Sequence, residues 1–285
     1  MKYREMFRVG HNGSLKLDTI DPGFKDRHED KSTAEAEIAA HIEEMRNLQY
    51  LLYAEGRRSL LVCLQALDAA GKDGTINHVL GAMNPQGCKV YGFKEPSKEE
   101  LAHDFLWRVH ARTPARGEVV IFNRSHYEDV LVARVHGLVP KEVWTERYDI
   151  INEFERGLVA NGTHIIKFFL HISAEEQLHR FKQRLDDPAR HWKISESDYT
   201  ERRLWPQYQK AYEDAISRTS TRHAPWYVIP SNHKWFRNLA VSNIIVETLK
   251  SLDMQFPEPT VDIKKIRKQY HEAEEEQNGN TRHKG

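Results

Sequence analysis

The sequence predicts an α/β fold: a three-layer α/β/α sandwich with a central, mainly parallel sheet and a helical lid. Three observations predict it. Five short apolar runs recur along the chain: SLLVCLQA (59–66), KVYGF (89–93), EVVIFN (118–123), HIIKFFLHI (164–172) and WYVIP (226–230). A helical stretch follows each run, which is the spacing of strand–helix–strand units and not of hairpins. Most positions in the runs are apolar, as in strands covered on both faces.

Taken in order, residues 1–31 mix charges with Gly10, Gly13, Pro22 and Gly23 and read as an irregular arm. STAEAEIAAHIEEMRNLQYLLYAEG then opens with a capping box, Ser32 with Glu35, keeps apolar residues at helical spacing and stops at Gly56. The alternation of strands and helices occupies 32–256 as one domain, and a second box, Ser97 with Glu100, opens the helix after the second run. RLDDPARHWKISESDYTERR (184–203) interrupts it with Pro188 and dense charge, where a mobile lid fits. Residues 257–285 read as a charged helix and a tail whose last ten residues are expected to be disordered.

Bulk numbers narrow the function classes. Among 285 residues, Lys plus Arg and Asp plus Glu both number 42, so no overall field recommends nucleic acid or an anionic membrane, although a local basic channel fits inside a balanced total. Cys63 and Cys88 supply neither a disulfide framework nor a zinc spacing, which suits a reducing cytoplasm. No secretory signal or run of about 18 apolar residues is present, so a soluble cytoplasmic protein is expected.

The first run feeds Ala66-Leu67-Asp68-Ala69-Ala70-Gly71-Lys72, a loop between a strand and a helix. That is the context of a phosphate-binding loop: the amides around Ala69, Ala70, Gly71, Asp73 and Gly74 face an anion and Lys72 follows at the helix start. Ala66 replaces the usual first glycine, and Asp73 the usual Ser or Thr. Carboxylates repel phosphate unless a cation lies between them, and Mg²⁺ takes a few oxygen ligands together with waters and phosphate oxygens. Asp68 is therefore the first metal-ligand candidate, while helix capping by Asp68 and Asp73 is the competing structural reading.

The third run delivers Asn123, Arg124, Ser125, His126, Glu128 and Asp129 to the carboxyl edge of the sheet, where ligands bind in open parallel sheets. Arg124 suits a bidentate phosphate clamp. Lys94, Arg112 and Arg116 lie on loops flanking that strand, and Arg180, Arg184, Arg190 and Lys193 ring the lid. Singly each reads as a solvated charge; together they mark a site for much anionic charge. His126 is a candidate phosphate acceptor or a packing residue, and Trp192 a candidate base contact.

LQALDAAGKDGTI, NPQGCKVYGFKEPS, FNRSHYEDVLVARVH and RFKQRLDDPARHWKISESD, in that order, make the chain resemble the family-two polyphosphate kinases over nearly its whole length. HYED makes it most similar to class III members, which phosphorylate both AMP and ADP. The resemblance implies a P-loop kinase-like fold and reversible, Mg²⁺-assisted (alternatively Mn²⁺-assisted) transfer of the terminal phosphoryl group of polyphosphate to AMP and ADP, giving ADP and ATP. It puts the family's loop aspartate on Asp68, its lysine on Lys72 and its arginine on Arg124, with Asn123 departing from the aspartate of many relatives. Glu128 falls on a nucleotide-selecting position, and Arg180, Arg184 and Lys193 on lid residues that close over the nucleotide. On this basis Asp129 or Glu128 is expected to bind a second metal, with Arg134, Arg112 and Arg116 forming a basic channel. A homo-oligomer, dimer or tetramer, is expected. An ATP-dependent nucleoside monophosphate kinase and a non-catalytic nucleotide- or polyphosphate-binding protein remain alternatives.

Overall fold

The computed structural model describes residues 3–11 and 13–282, with side chains to residue 277. It divides into one unit over residues 1–254 and a second over 255–285. The five apolar runs form strands β1 (Ser59–Gln65), β2 (Cys88–Gly92), β3 (Val119–Asn123), β4 (Thr163–His171) and β5 (Trp226–Pro230). They pair in the order β2-β3-β1-β4-β5, every pair parallel. The helices are α1 (Tyr3–Met6), α2 (Ser32–Glu55), α3 (Lys72–His78), α4 (Lys98–Leu101), α5 (Trp107–His110), α6 (Glu128–Val135), α7 (Lys141–Ala160), α8 (Ala174–Asp186), α9 (Glu196–Arg203), α10 (Trp205–Thr219), α11 (Lys234–Lys250) and α12 (Ile263–Arg282).

Successive strand side chains point to opposite faces, and both faces of this sheet are covered. Leu60, Val62 and Leu64 of β1 join Ile166 and Phe168 of β4 in a core shared with Leu52 of α2 and Leu239, Ile244 and Ile245 of α11. Leu61 and Cys63 face the other way, beside Val120, Phe122, Ile165 and Phe154 of α7. Each buried aliphatic or aromatic side chain contributes about 1.5–3 kcal/mol. The outer strand β2 departs from the expected two-sided burial, with Val90 48% exposed, because it pairs only with β3.

The arm packs on the opposite edge of the sheet. Tyr3 and Leu17 are buried, Val9 N–H donates to Trp226 O at 2.9 Å, and Val228 N–H donates to Phe7 O at 3.0 Å. An antiparallel bridge, Arg8 to Tyr227, thus covers the outer side of β5 and blunts an exposed strand edge.

Local signals differ in detail. Asp30, not Ser32, caps α2: its Oδ1 accepts from Ser32 N–H at 2.8 Å, and Glu35 instead pairs with Lys31 at 3.0 Å. The Ser97–Glu100 box is present, and Gly56 ends α2 with φ +61°. The lid segment folds as a 3₁₀ turn (Pro188–Lys193) and α9, which opens on a Ser195–Asp198 box. Taken by itself, the second unit contains α12, with Ile263, Ile266 and Tyr270 exposed; residues 283–285, part of the tail expected to be disordered, lie outside the described residues. No described helix is long and apolar enough to cross a membrane.

Candidate active site

The carboxyl ends of β1 and β3 lie side by side, Leu64 in register with Asn123, so the two loops that leave them meet. The loop after β1 needs special backbone geometry: Ala69 has φ +61° and Gly71 φ +108°. A Cβ at Gly71 would fall 1.8 Å from Arg237 Nη1. Gly71→Ala is therefore expected to lower the melting temperature and cut turnover at least 10-fold, through a backbone penalty of about 1–3 kcal/mol and displacement of a buried guanidinium. Unchanged melting and turnover would refute this.

Two buried arginines brace this loop from beneath. Arg180 donates from Nη1 to Ala69 O and Ala70 O, both at 2.9 Å, from Nη2 to Ser231 O and Asn232 O, and from Nε to Glu176 Oε1. All five of its N–H groups are used within the chain, so Arg180 braces the loop, while its side chain also borders the larger groove described below. Arg237, which sequence reasoning missed, is 2% exposed and donates to Ala70 O and to Asn238 Oδ1. Burial, reinforced by Arg180, pushes it down to about 9. Its one sequence signal is a cation within the apolar run WFRNLAV.

On the exposed side of the loop, Asp68 and Arg124 pair at 3.2 Å, and Arg124 also reaches Glu128 at 3.5 Å. Arg124 sits at φ +63°, an uncommon conformation for a side-chain-bearing residue that directs it out of the turn after β3. Lys72 Nζ donates to Ala66 O at 2.9 Å, and burial holds its ammonium below the usual lysine range, with Asp68 acting in opposition. Asn123 Nδ2 donates to Asp73 Oδ1 at 2.9 Å, while Lys193 of the lid lies 3.8 Å from Asp73 Oδ2. Burial raises the Glu128 carboxyl above its ordinary range, against the pull of Arg124.

Two hollows share Asp68 and Arg124. The larger is a groove of about 1080 Å³ that takes in Ala69, Gly71, Lys72, Asp73, Gly74, Lys94, Asn123, Arg180, Arg184 and Lys193 of the expected site. Ten lysines and arginines line it against three carboxylates, so the neutral chain does hold a local cationic channel. The smaller, of about 40 Å³, lies under the lid among Glu128, Gln177, Glu201, Trp205, Tyr208 and Tyr212. The aromatic residues of this inner hollow were not singled out in the sequence, where they read as helix packing. Trp192, the candidate base contact, lies instead in the larger groove and is 78% exposed.

Several expected residues sit elsewhere. Arg116 precedes β3, and in a parallel sheet that places it at the amino edge, opposite the site. Arg112 is exposed and stacks on Tyr91, 5.0 Å from the ring centroid, and neither hollow includes it. Arg134 faces α7 and α10, paired with Asp214 at 2.9 Å and stacked on Trp144. Asp129 lies 3.8 Å from Arg108 and 3.7 Å from Arg147, outside both hollows, so its carboxylate already has cationic neighbours and does not face Asp68. Asp129→Asn and Arg116→Ala are each expected to leave turnover within about 3-fold of wild type, since the nearby charges they alter are screened from the groove. A 100-fold loss in steady-state assays would return either to the site. His126 is fully buried and held by Glu155, which removes it as a phosphate acceptor.

No group of three or more His, Cys, Asp or Glu gathers to hold a metal among the described residues. Mg²⁺ needs no such cage: one or two carboxylates plus waters and phosphate oxygens suffice. Asp68, one-third exposed beside a phosphate-binding loop, fits that pattern.

A profile of the Polyphosphate kinase 2 family matches residues 28–257. The chain is 52% identical over 261 residues to an AMP/ADP-polyphosphate phosphotransferase of Meiothermus ruber, covering 91% of this chain and 98% of that one. It is 44% identical to an ADP-polyphosphate phosphotransferase of Rhodopseudomonas palustris, covering 90% and 93%. The crystal structure of Polyphosphate Kinase 2 from Arthrobacter aurescens TC1 superposes with a TM-score of 0.92 at 42% identity, covering 95% of this chain and 97% of that one.

Proposed function

Because the chain belongs to the polyphosphate kinase 2 family, we propose that it transfers the terminal phosphoryl group of inorganic polyphosphate to AMP and to ADP, forming ADP and ATP. The observation that carries this reading is the meeting of two hollows at the Asp68–Arg124 pair. The long cationic groove suits a linear polyanion, and the inner hollow, ringed by Trp205, Tyr208 and Tyr212, suits a nucleoside. At about 40 Å³ the inner hollow holds a few waters, so nucleotide entry requires α9 to move.

A nucleotide phosphate is already deprotonated, so the reaction asks for alignment and charge neutralisation and needs no general base. Phosphoryl transfer passes through a loose transition state with charge spread over the equatorial oxygens. Lys72 and the loop amides hold phosphate oxygens, Arg124 turns from Asp68 and Glu128 onto the group in transit, and Asp68 is the residue that would hold Mg²⁺. Mg²⁺ held there would supply charge neutralisation for phosphate oxygens. Lys193 and Arg184 extend the cationic wall from the lid, while Arg180 and Arg237 fix the loop beneath. The balanced charge and two unpaired cysteines support a cytoplasmic setting, with a closed homo-oligomer as the assembly.

The test is incubation with Mg²⁺, polyphosphate and AMP, without ATP, following nucleotides by chromatography. ADP is expected first and ATP next. Phosphorylation of added ADP alone would refute AMP as acceptor. Turnover with ATP as the only effective donor would make the protein a nucleoside monophosphate kinase, and binding without turnover would leave a binding protein.

A further inference from the structure

Between Arg124 and Glu128, which face the hollows, the chain turns three consecutive side chains inward: Ser125, His126 and Tyr127 are all 0% exposed. Ser125 Oγ accepts from Gln65 Nε2 at 3.1 Å, tying the turn to the end of β1. His126 and Tyr127 enter a polar cluster sealed behind the site. Glu155 Oε1 of α7 lies 3.2 Å from His126 Nε2 and accepts from Tyr127 OH at 2.8 Å. Lys167 of β4 donates to Glu155 Oε2 at 2.6 Å, to Tyr127 OH at 2.8 Å and to Thr219 O at 2.8 Å. Its ammonium also lies 5.3 Å and 5.4 Å from the ring centroids of Tyr127 and Trp226.

Glu155 and Lys167 are both 0% exposed and touch neither hollow, so no substrate explains them. Stability is a weak explanation as well, since replacing a buried ion pair by neutral residues of similar volume is often neutral or stabilising. What the pair does supply is directional bonds from two layers of the fold, helix α7 and strand β4, onto two of the three residues that separate Arg124 from Glu128. Within it Glu155, Lys167 and the Tyr127 hydroxyl are bonded to one another, and directional bonds of this kind admit one arrangement where an apolar contact would admit several.

We propose that Glu155 and Lys167 are positioning residues for phosphoryl transfer: their ion pair locks His126 and Tyr127 and so sets where Arg124 and Glu128 stand relative to Asp68. The pair acts on the aligned complex and not on substrate affinity. Misplacement of a phosphate clamp by even about 1 Å costs on the order of 100-fold in rate, so partial loosening has room to show in kcat. This rests on the phosphotransferase reading.

The test compares wild type with E155Q/K167M, which removes both charges at similar volume, and with Y127F, which deletes only the hydroxyl that bonds both partners. Melting temperature is recorded, and kcat and KM for AMP and polyphosphate are measured well below it. Expected for the double variant is a folded protein with KM values within 2-fold and kcat at least 10-fold lower; for Y127F, kcat about 5-fold lower with KM unchanged. A folded double variant with wild-type kcat overturns the proposal. If the double variant does not fold, Y127F decides, and wild-type kcat there overturns it equally. Wild type inactive with polyphosphate refutes the phosphotransferase reading itself, and with it any positioning role; an active wild type beside a fully active variant refutes positioning alone.

Discussion

Lys72→Ala is expected to lower turnover at least 100-fold with either AMP or ADP as acceptor, a loss of about 3 kcal/mol of transition-state stabilisation. The size follows from position. Lys72 is the first residue of α3, its ammonium lies within the loop 2.9 Å from Ala66 O, and burial keeps it poorly hydrated. A phosphate oxygen entering the loop replaces that carbonyl with an anionic partner, in surroundings where a charge interaction is stronger than in water. Asp68 and Arg124 are already paired at 3.2 Å, so Lys72 adds a further positive charge at this point. Steady-state rates on a variant shown to be folded by circular dichroism check this. A rate within a few-fold of wild type would remove Lys72 from the mechanism.

Asp68→Asn is expected to cost still more, about 1000-fold, or roughly 4 kcal/mol. Asparagine keeps the shape of the side chain and leaves Gln177 able to donate to the backbone carbonyl of residue 68, so the loop stays in place. The charge is what is lost. With it go the candidate Mg²⁺ ligand and the acidic partner of Arg124, whose guanidinium then collapses toward Glu128, 3.5 Å away. The Mg²⁺ concentration for half-maximal rate is expected to rise together with the fall in rate. If the variant shows a wild-type rate and Mg²⁺ dependence, Asp68 is a structural residue of the loop.

The order of these two effects separates the competing roles of the loop acid. A helix-capping aspartate is worth about 0.5–2 kcal/mol of stability and leaves kcat unaffected well below the melting temperature. Asp68 makes no capping bond to α3, whose first turn is preceded by Gly71 in a left-handed conformation with no side-chain cap. Melting curves for Asp68→Asn should therefore lie close to wild type while the rate falls.

Sequence pattern alone places the five strands to within a residue or two, because a strand covered on both faces must be apolar at successive positions and a helix must separate it from its parallel neighbour. It also determined the loop from Asp68 to Lys72 and the turn carrying Arg124, since each follows a strand directly and therefore stands at the carboxyl edge. Which cations join them depends on how distant elements pack. Arg116 and Arg124 are eight positions apart on one strand and its flanks, yet they stand at opposite edges, and Arg134 and Asp129 turn away on a helix whose other side meets the site. Arg180 and Arg237 arrive from α8 and α11, more than a hundred residues beyond the loop they brace. No local pattern encodes such meetings: a lysine or arginine carries the same sequence signal whether it is solvated, paired or aimed at a phosphate, and the packing of distant elements chooses among the three.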